Sequence, residues 1–232
     1  MTRGSLRRGA VLLGWLMLSL LGWLMLSLLP GPGAWAASDW TLVREQGPVR
    51  LWARANPPGP FQALRLEMRV AARPAALLAV LRDTANHRQW LPGSREVRLL
   101  ARPTPLEDLV YTRLAAPWPA QDRELITRSR LEWLPGCGLR LRVWADADAL
   151  PPTPGLVRIR ASQGLWQATP LGAGESLIRL ETYTHPGGQL PGWLVNQVAT
   201  RSAFESFVAI KRLMEDGKTT GLMAAQLCPS GQ

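Results

Sequence analysis

Histidine and cysteine are scarce in this chain of 232 residues, which contains only His87, His185, Cys137 and Cys228. With two histidines, a multi-histidine metal site is not expected. With two cysteines, the chain is not a disulfide scaffold. Cys137 and Cys228 could form one bridge in an oxidising compartment, or stay apart, because Cys228 falls in a stretch without periodicity.

Lysine is also scarce: two of the 27 basic residues are lysine, so 25 are arginine, against 17 acidic residues and a formal net charge of +10. The arginines are scattered along the sequence, which favours a solvated surface. A weak attraction to anionic lipid head groups is the functional alternative.

The common catalytic motifs are missing. The sequence contains no GxSxG elbow, no HExxH, no GxxxxGK[ST] loop and no CxxC pair. Gly172-Ala173-Gly174 is followed by Glu175, which does not fit a phosphate-binding loop. We therefore expect a protein that binds rather than catalyses, with no cofactor and no metal ion.

The first 36 residues are organised like a secretory signal. Arg3, Arg7 and Arg8 precede a charge-free run over 10–29, and small residues follow at Ala34 and Ala36. This order of basic, apolar and small residues predicts a signal peptide that is cleaved after Ala36.

The apolar run contains a duplication, since LGWLMLSL at 13–20 is repeated letter for letter at 21–28. The run of 20 residues over 10–29 is long enough to cross a bilayer core, so the segment could instead be an N-terminal membrane anchor. The basic end stays in the cytoplasm in either case. The sequence therefore predicts an exported domain, either periplasmic or anchored to the inner membrane outside the cytoplasm. Nucleic acid is then not an expected partner.

Residues 37–214 are predicted to form one α+β domain, followed by a flexible tail at 215–232. Alternating apolar and charged residues over 61–71 indicate a strand with one wet face. A helix that begins near Pro74 and a short one at 87–90 follow this strand. The other strands are expected at 42–46, 49–55, 95–101, 108–115, 124–133, 139–145, 156–161, 164–169 and 176–185.

A long amphipathic helix is predicted from about Pro191 to Met214. Its apolar stripe has spacings of three and four residues, which suit a helix that lies along a sheet. This order of elements predicts a curved antiparallel sheet wrapped around a long C-terminal helix.

Four stretches of the domain carry more specific motifs: the strands from Trp40 to Arg54, LLAVLRDTANHRQW at 77–90, VYTRLAAPWPAQDRELI at 110–126 and PGGQLPGWLVN at 186–196. In composition and order these stretches resemble the START domain family, the steroidogenic-acute-regulatory-protein-related lipid-transfer family. The chain resembles an exported, bacterial-type member of that family. The resemblance implies the helix-grip fold (START/Bet v 1-like) and a hydrophobic tunnel between the sheet and the terminal helix. The resemblance implies that the protein binds a lipid, contacts a membrane surface transiently, is a monomer and catalyses no reaction.

Strand alternation predicts which side chains line this tunnel, because residues opposite the arginines should face inward. The terminal helix contributes its stripe to the same space. The lining is assigned to Tyr111, Arg113, Leu125, Thr127, Ser129, Leu131, Leu141, Val143, Val157, Ile159, Trp166, Asn196, Thr200, Phe204 and Phe207. A closed core filled by the same side chains is the alternative.

Some members of the family carry an internal pair of an acidic group and an arginine on neighbouring strands. The matching positions are Arg113 and Ser129, so the pair is expected to be absent. Arg113 could instead meet an anionic head group or lie at the surface. Asp122, Arg123 and Glu124 are expected to form structural ion pairs.

The resemblance also implies a gate at the tunnel mouth. It is assigned to Trp118, His185, Gly187, Gly188 and Trp193.

The leading hypothesis is a protein that binds a lipid and transfers or presents it between membranes. One alternative is a cyclase-like helix-grip enzyme, with Tyr111, Arg113 and Asp122 as acid–base or orienting groups. The other is a protein-interaction module with a vestigial cavity.

Overall fold

The computed structural model describes residues 39–56 and 59–217. The predicted signal peptide or anchor at 1–36, and residues 218–232 of the tail predicted at 215–232, lie outside the described residues, whereas Glu215 belongs to the terminal helix. Within the described ranges, no helix has both the length and the hydrophobicity needed to cross a membrane. Export of the domain stays a prediction from the sequence.

The described chain forms a ten-stranded sheet. Its strands are β1 (Thr41–Gln46), β2 (Val49–Ala55), β3 (Gln62–Val70), β4 (Ser94–Thr104), β5 (Glu107–Leu114), β6 (Arg123–Leu134), β7 (Gly138–Ala145), β8 (Val157–Arg158), β9 (Ala161–Gly172) and β10 (Glu175–His185). The order across the sheet is β1-β2-β3-β10-β9-β7-β6-β5-β4, and all of these pairs are antiparallel. The short β8 pairs with β6 in parallel.

Two α-helices accompany the sheet: α1 (Pro74–Arg82) and the long C-terminal α2 (Gly192–Glu215). Helix α2 packs on β2, β3 and α1. The predicted architecture, an antiparallel sheet with a long C-terminal helix, is confirmed. The short helix predicted at 87–90 is a 3-10 turn over His87–Gln89.

Alternation along β3 shows why the sheet has one dry and one wet face. Leu64, Leu66 and Met68 are buried against α2 and α1, whereas Arg65 and Glu67 point to the other side. On that outer side, cross-strand ion pairs such as Arg65–Glu181 (2.8 Å) and Arg179–Glu67 (2.6 Å) join β3 to β10. We name the buried side of the sheet the inner face and the opposite side the outer face.

Helix α2 is held by its apolar stripe and by a polar contact near each end. Phe204, Phe207, Ile210 and Met214 are all buried, which extends the apolar core along the inner face. Near the start of the helix, Asn196 accepts from the Gln62 N–H (3.0 Å) and donates to the Pro60 carbonyl (3.0 Å). At its end, Glu215 accepts from the Ala71 N–H (3.0 Å).

The sequence predicts one strand over 156–161, but the structure divides this segment. Val157 and Arg158 run parallel to the start of β6, and the Ile159 N–H still donates to the Glu124 carbonyl at 2.9 Å. The chain then leaves β6, and β9 begins at Ala161 and pairs with β7.

Cys137 lies in the short turn Pro135–Cys137 that joins β6 to β7, and it is disulfide-bonded. Cys228 lies outside the described residues.

Candidate functional site

A cavity of about 170 Å³ lies inside the fold, between the inner face of the sheet and helix α1. Its walls come from α1, the 84–91 segment and strands β4, β5, β6, β7 and β9. The pairing register explains the shape of the wall. Val110 lies opposite Thr127, Ser129 opposite Val143, and Leu141 opposite Trp166, so these side chains share one face across the strands.

Five of the residues assigned to the tunnel line this cavity: Thr127, Ser129, Leu141, Val143 and Trp166. Leu131, Phe204 and Phe207 are buried in the adjoining hydrophobic core. The indole of Trp166 stacks on the Phe207 ring with 5.6 Å between centroids, which joins the cavity wall to helix α2. That these side chains contact a ligand stays a prediction.

The placement of Tyr111 and Arg113 in the tunnel is wrong. Their neighbours Val110 and Thr112 line the cavity, so alternation puts Tyr111 and Arg113 on the outer face. There the Arg98 guanidinium lies 4.9 Å from the centre of the Tyr111 ring, and burial raises the pKa of the Tyr111 hydroxyl. Arg113 donates to Asp122 at 2.9 Å.

Five other assigned residues do not line this cavity. Ile159 is buried and Val157 half-buried in the segment beside β6, where Leu125 is half-buried too. Thr200 is half-buried on α2, and Asn196 is committed to the backbone of residues 60 and 62.

One end of the cavity is polar, a feature that the sequence analysis missed. Asp108, whose side chain is 7% exposed, accepts from Arg82 at 2.9 Å and from Arg102 at 2.5 Å. Arg82 also donates to the Pro105 carbonyl at 2.8 Å. An acid paired with arginines is therefore present at the cavity, at positions other than Arg113 and Ser129. It uses an arginine at the end of α1 and another on β4.

The inward position of Asp108 carries a signal in the sequence, because it alternates with Val110 and Thr112 on β5. A buried carboxylate needs a cationic partner. Arg82 and Arg102 precede it by 26 and 6 residues, and only the fold shows that they meet there.

The predicted ion pairs are confirmed for Asp122 and Glu124, whereas Arg123 donates to the Gln121 carbonyl and forms no ion pair within the described residues. Asp122 binds Arg113 (2.9 Å) and Arg95 (3.0 Å). Burial opposes ionisation, yet the hydrogen bonds from Arg113 and the Ala116 N–H hold the pKa of Asp122 below its usual value. Glu124 forms a fully buried pair with Arg158 at 2.9 Å.

The residues assigned to the gate lie around the start of α2 and the loop before β6. Trp118 is 93% exposed and Trp193, in the first turn of α2, is 70% exposed. The His185 ring meets the Phe61 ring edge-on at 4.7 Å, and its Nδ1 accepts from the Gly187 N–H at 3.2 Å. That this region opens and closes stays a prediction.

Gly187 and Gly188 are required where they lie. Both have positive φ angles, +71° and +65°. At Gly187 a Cβ would lie 2.9 Å from a methyl carbon of Val157, so a larger residue would push against β8.

Within the described residues, no cluster of three or more histidine, cysteine, aspartate or glutamate side chains could hold a metal ion.

Comparisons with known proteins agree with this geometry. A family model for the START domain matches residues 34–218. A solved fragment of a STAR-related lipid transfer protein from Xanthomonas axonopodis has a TM-score of 0.70 and 29% identity, covering 76% of this chain and 99% of that one. The structure of human STARD10 has a TM-score of 0.67 and 23% sequence identity, and the match covers 78% of this chain and 74% of the STARD10 chain.

Among curated proteins, the phosphatidylcholine transfer protein of Mus musculus is 23% identical over 171 residues, which is 72% of this chain and 79% of that protein. The family model spans more than half of the sequence and the fold agrees with it, so the chain belongs to the START domain family.

Proposed function

We propose that this protein binds a lipid in the cavity between the sheet and the helices, and carries it between membranes outside the cytoplasm. Membership in the START family supports a general lipid-binding role. The observation that carries the proposal for this chain is a largely apolar internal cavity with the Arg82–Asp108–Arg102 cluster at one end. Apolar walls with a few placed polar groups are typical of small-molecule sites.

The polar cluster supports a particular orientation of the lipid. Two guanidinium groups face one carboxylate, so the cluster retains a net positive charge of about one. Arginine donors suit a phosphate or carboxylate head group. The head group would lie at this cluster, with the acyl part extending along Thr127, Ser129 and Trp166 towards Phe207.

We expect that loading a lipid into a cavity of this size requires movement. A volume of about 170 Å³ is below the roughly 300–1,000 Å³ of typical ligand pockets. A lipid chain would gain about 0.8 kcal/mol for each buried methylene, and this gain can offset the displacement of side chains at the wall. The gate region at the start of α2 is the proposed route.

The residues assigned to the cyclase-like alternative do not line the cavity. Tyr111, on the outer face, packs against the Arg98 guanidinium group, and Arg113 of the same face donates to Asp122 in the loop before β6. They do not face the cavity, so they cannot orient a ligand inside it.

Lipid extraction followed by mass spectrometry tests the proposal. Protein purified without detergent, or incubated with vesicles and separated from them, is expected to retain phospholipid at close to one molecule per chain. Head groups that carry phosphate should be enriched. A protein that never carries lipid under either condition would rule out lipid transfer.

The exposed tryptophans support contact with a membrane. Tryptophan favours the interface between water and bilayer, and Trp118 and Trp193 are more exposed than the other large apolar side chains of the described chain. Trp118→Ser and Trp193→Ser are each expected to weaken binding to phosphatidylcholine/phosphatidylglycerol vesicles by about tenfold, as expected when a large apolar side chain no longer enters the membrane. Vesicle sedimentation measures this change.

Trp144→Ser provides the matched control, because Trp144 is 38% exposed on the outer face of β7. It should bind vesicles like the unchanged protein. Equal binding by all three variants would show that Trp118 and Trp193 do not contact the membrane.

A further inference from the structure

A second, larger recess lies on the outer face of the sheet, away from the internal cavity. It has a volume of about 470 Å³ and crosses strands β2, β3, β10, β9 and β7. We name it the outer groove. Five strands define four spacings of about 4.8 Å each, so the groove is about 19 Å long.

Two rows of cross-strand neighbours form the groove. One row contains Arg54 and Ala63, then Tyr183, Gln163 and Trp144. The adjacent row contains Glu181, Leu165 and Arg142. Ala63 leaves the part of the groove over β3 open, because its side chain is short.

Aromatic side chains line the outer groove. At one end Trp40 is covered by two guanidinium groups, those of Arg54 (4.5 Å) and Arg65 (4.3 Å). At the other end Trp144 is 38% exposed beside Gln163. Tyr183 is half-buried between these ends. The groove therefore offers the rings of Trp144 and Tyr183 as flat apolar surfaces, together with side-chain amides.

The charge of the groove is not balanced within the described chain. Most arginines of the outer face are paired with a carboxylate, as in Arg65–Glu181, Arg140–Glu132 and Arg128–Asp146. Within residues 39–56 and 59–217, Arg54 and Arg142 form no ion pair, although both line the groove. Glu181, the acidic side chain of the groove, is already bonded to Arg65.

Because no carboxylate of the described ranges pairs with Arg54 or Arg142, both guanidinium groups can bind an anionic group of another molecule. Arginine recognises carboxylate and phosphate groups through paired hydrogen bonds.

We infer that the outer groove binds an acidic oligosaccharide, with its rings on the aromatic side chains and its carboxylates at Arg54 and Arg142. The two arginines lie at opposite ends of the groove, on β2 and β7, so one small anion cannot reach both. A chain of three or four sugar rings has a suitable length. Hydroxyl groups between the charges would bond Gln163, Asn56 and Glu181.

An acidic peptide fits the groove less well. Extended peptides bind sheets by adding a strand to an open edge. The groove lies across the middle of the sheet, where the strands on both sides are already paired, so a peptide could not form that ladder here.

Titration with trigalacturonate, followed by the indole N–H signals of Trp144 and Trp166 in NMR spectra, tests the inference. Saturable shifts are expected for Trp144 in the groove and not for Trp166 in the internal cavity. Arg142→Gln and Arg54→Gln should each weaken binding by about tenfold, the effect of losing hydrogen bonds to a charged group. Added salt should weaken binding further in the unchanged protein.

Arg69→Gln is the matched control. Arg69 is an exposed arginine of the same face, without an ion pair in the described chain, and it does not line the groove. Equal weakening by Arg69→Gln, no saturable shift at Trp144, or equal affinity for neutral maltotriose would overturn the inference. Tighter binding of triglutamate than of trigalacturonate would overturn it in favour of a peptide.

Discussion

Replacing Arg158 with methionine is expected to lower the free energy of unfolding by about 3–5 kcal/mol, the usual cost of removing one partner of a buried ion pair. The side chains of Arg158 and Glu124 are 5% and 0% exposed and lie 2.9 Å apart. Without the guanidinium group, the Glu124 carboxylate would stay buried with the Thr153 N–H as its remaining donor (2.9 Å). Chemical denaturation measures the loss.

Arg158 also holds the segment that covers the outer face of β5 and β6. Its guanidinium group donates to the carbonyls of Leu150 and Pro151, both at 2.9 Å, and to that of Ala147. Loss of these bonds would release the cover over Tyr111. Arg158→Met should therefore also increase hydrogen exchange in residues 147–153.

The dependence of stability on pH tests independently whether the buried pair of Glu124 and Arg158 causes this loss of stability. Burial alone would raise the pKa of Glu124, but hydrogen bonds from Thr153 and Arg158 lower it below the usual value. Glu124 thus stabilises the fold above the unfolded-state pKa of about 4.3, and this contribution is lost as the pH falls through the lower folded-state pKa. The difference in stability between the unchanged protein and Arg158→Met should shrink over this acidic range.

Arg160→Met is the control for Arg158→Met. Arg160 lies two residues after Arg158 and pairs with Asp148. The side chains of Arg160 and Asp148 are 64% and 88% exposed. An exposed pair contributes at most about 1 kcal/mol. If Arg158→Met cost no more than Arg160→Met, the buried pair would not be a major source of stability. The double variant Arg158→Met/Glu124→Leu should recover part of the loss, because it removes the isolated charge.

The sequence predicts the faces of β6 and β7 correctly, because arginines mark their wet side. On β6, Thr127 and Ser129 alternate with Arg128 and Arg130, and the first two line the cavity. Local alternation is sufficient here, since one face meets solvent and the other meets the core.

Alternation is not sufficient on β5. Tyr111 is buried at 6% exposure although it lies on the outer face, because Thr153 of the segment 147–153 and the Arg98 guanidinium group contact it. Both faces of this strand are therefore partly dry, and an aromatic residue no longer marks the inner one. The covering segment is more than 30 residues further along the chain, so no local pattern reveals it.

The polar end of the cavity depends on the same kind of long-range information. Asp108, Arg82 and Arg102 belong to β5, α1 and β4, and each alone resembles an ordinary charged surface residue. Their function as a unit follows from the packing of α1 over the sheet. The volume that distinguishes a cavity from a filled core likewise depends on how side chains from seven segments meet.

Ser129→Phe is expected to remove lipid from the protein, under the proposed function. Ser129 faces the cavity on β6 between Asp108 and Val143, and a phenyl ring there would occupy much of the 170 Å³. Excluding even two methylenes of an acyl chain costs about 1.6 kcal/mol, which is roughly tenfold in affinity. Quantifying the lipid bound per protein after incubation with vesicles measures the effect.

Arg130→Phe separates blocking of the cavity from a general effect of a new aromatic ring. Arg130 is the next residue on β6, its side chain is 71% exposed, and it points to the outer face. This variant should keep its lipid, and both variants should unfold cooperatively, because Ser129→Phe fills existing space rather than overpacking a full core. Full lipid occupancy in a folded Ser129→Phe protein would place the ligand outside this cavity. Loss of lipid in Arg130→Phe alone would place it on the outer face of the sheet.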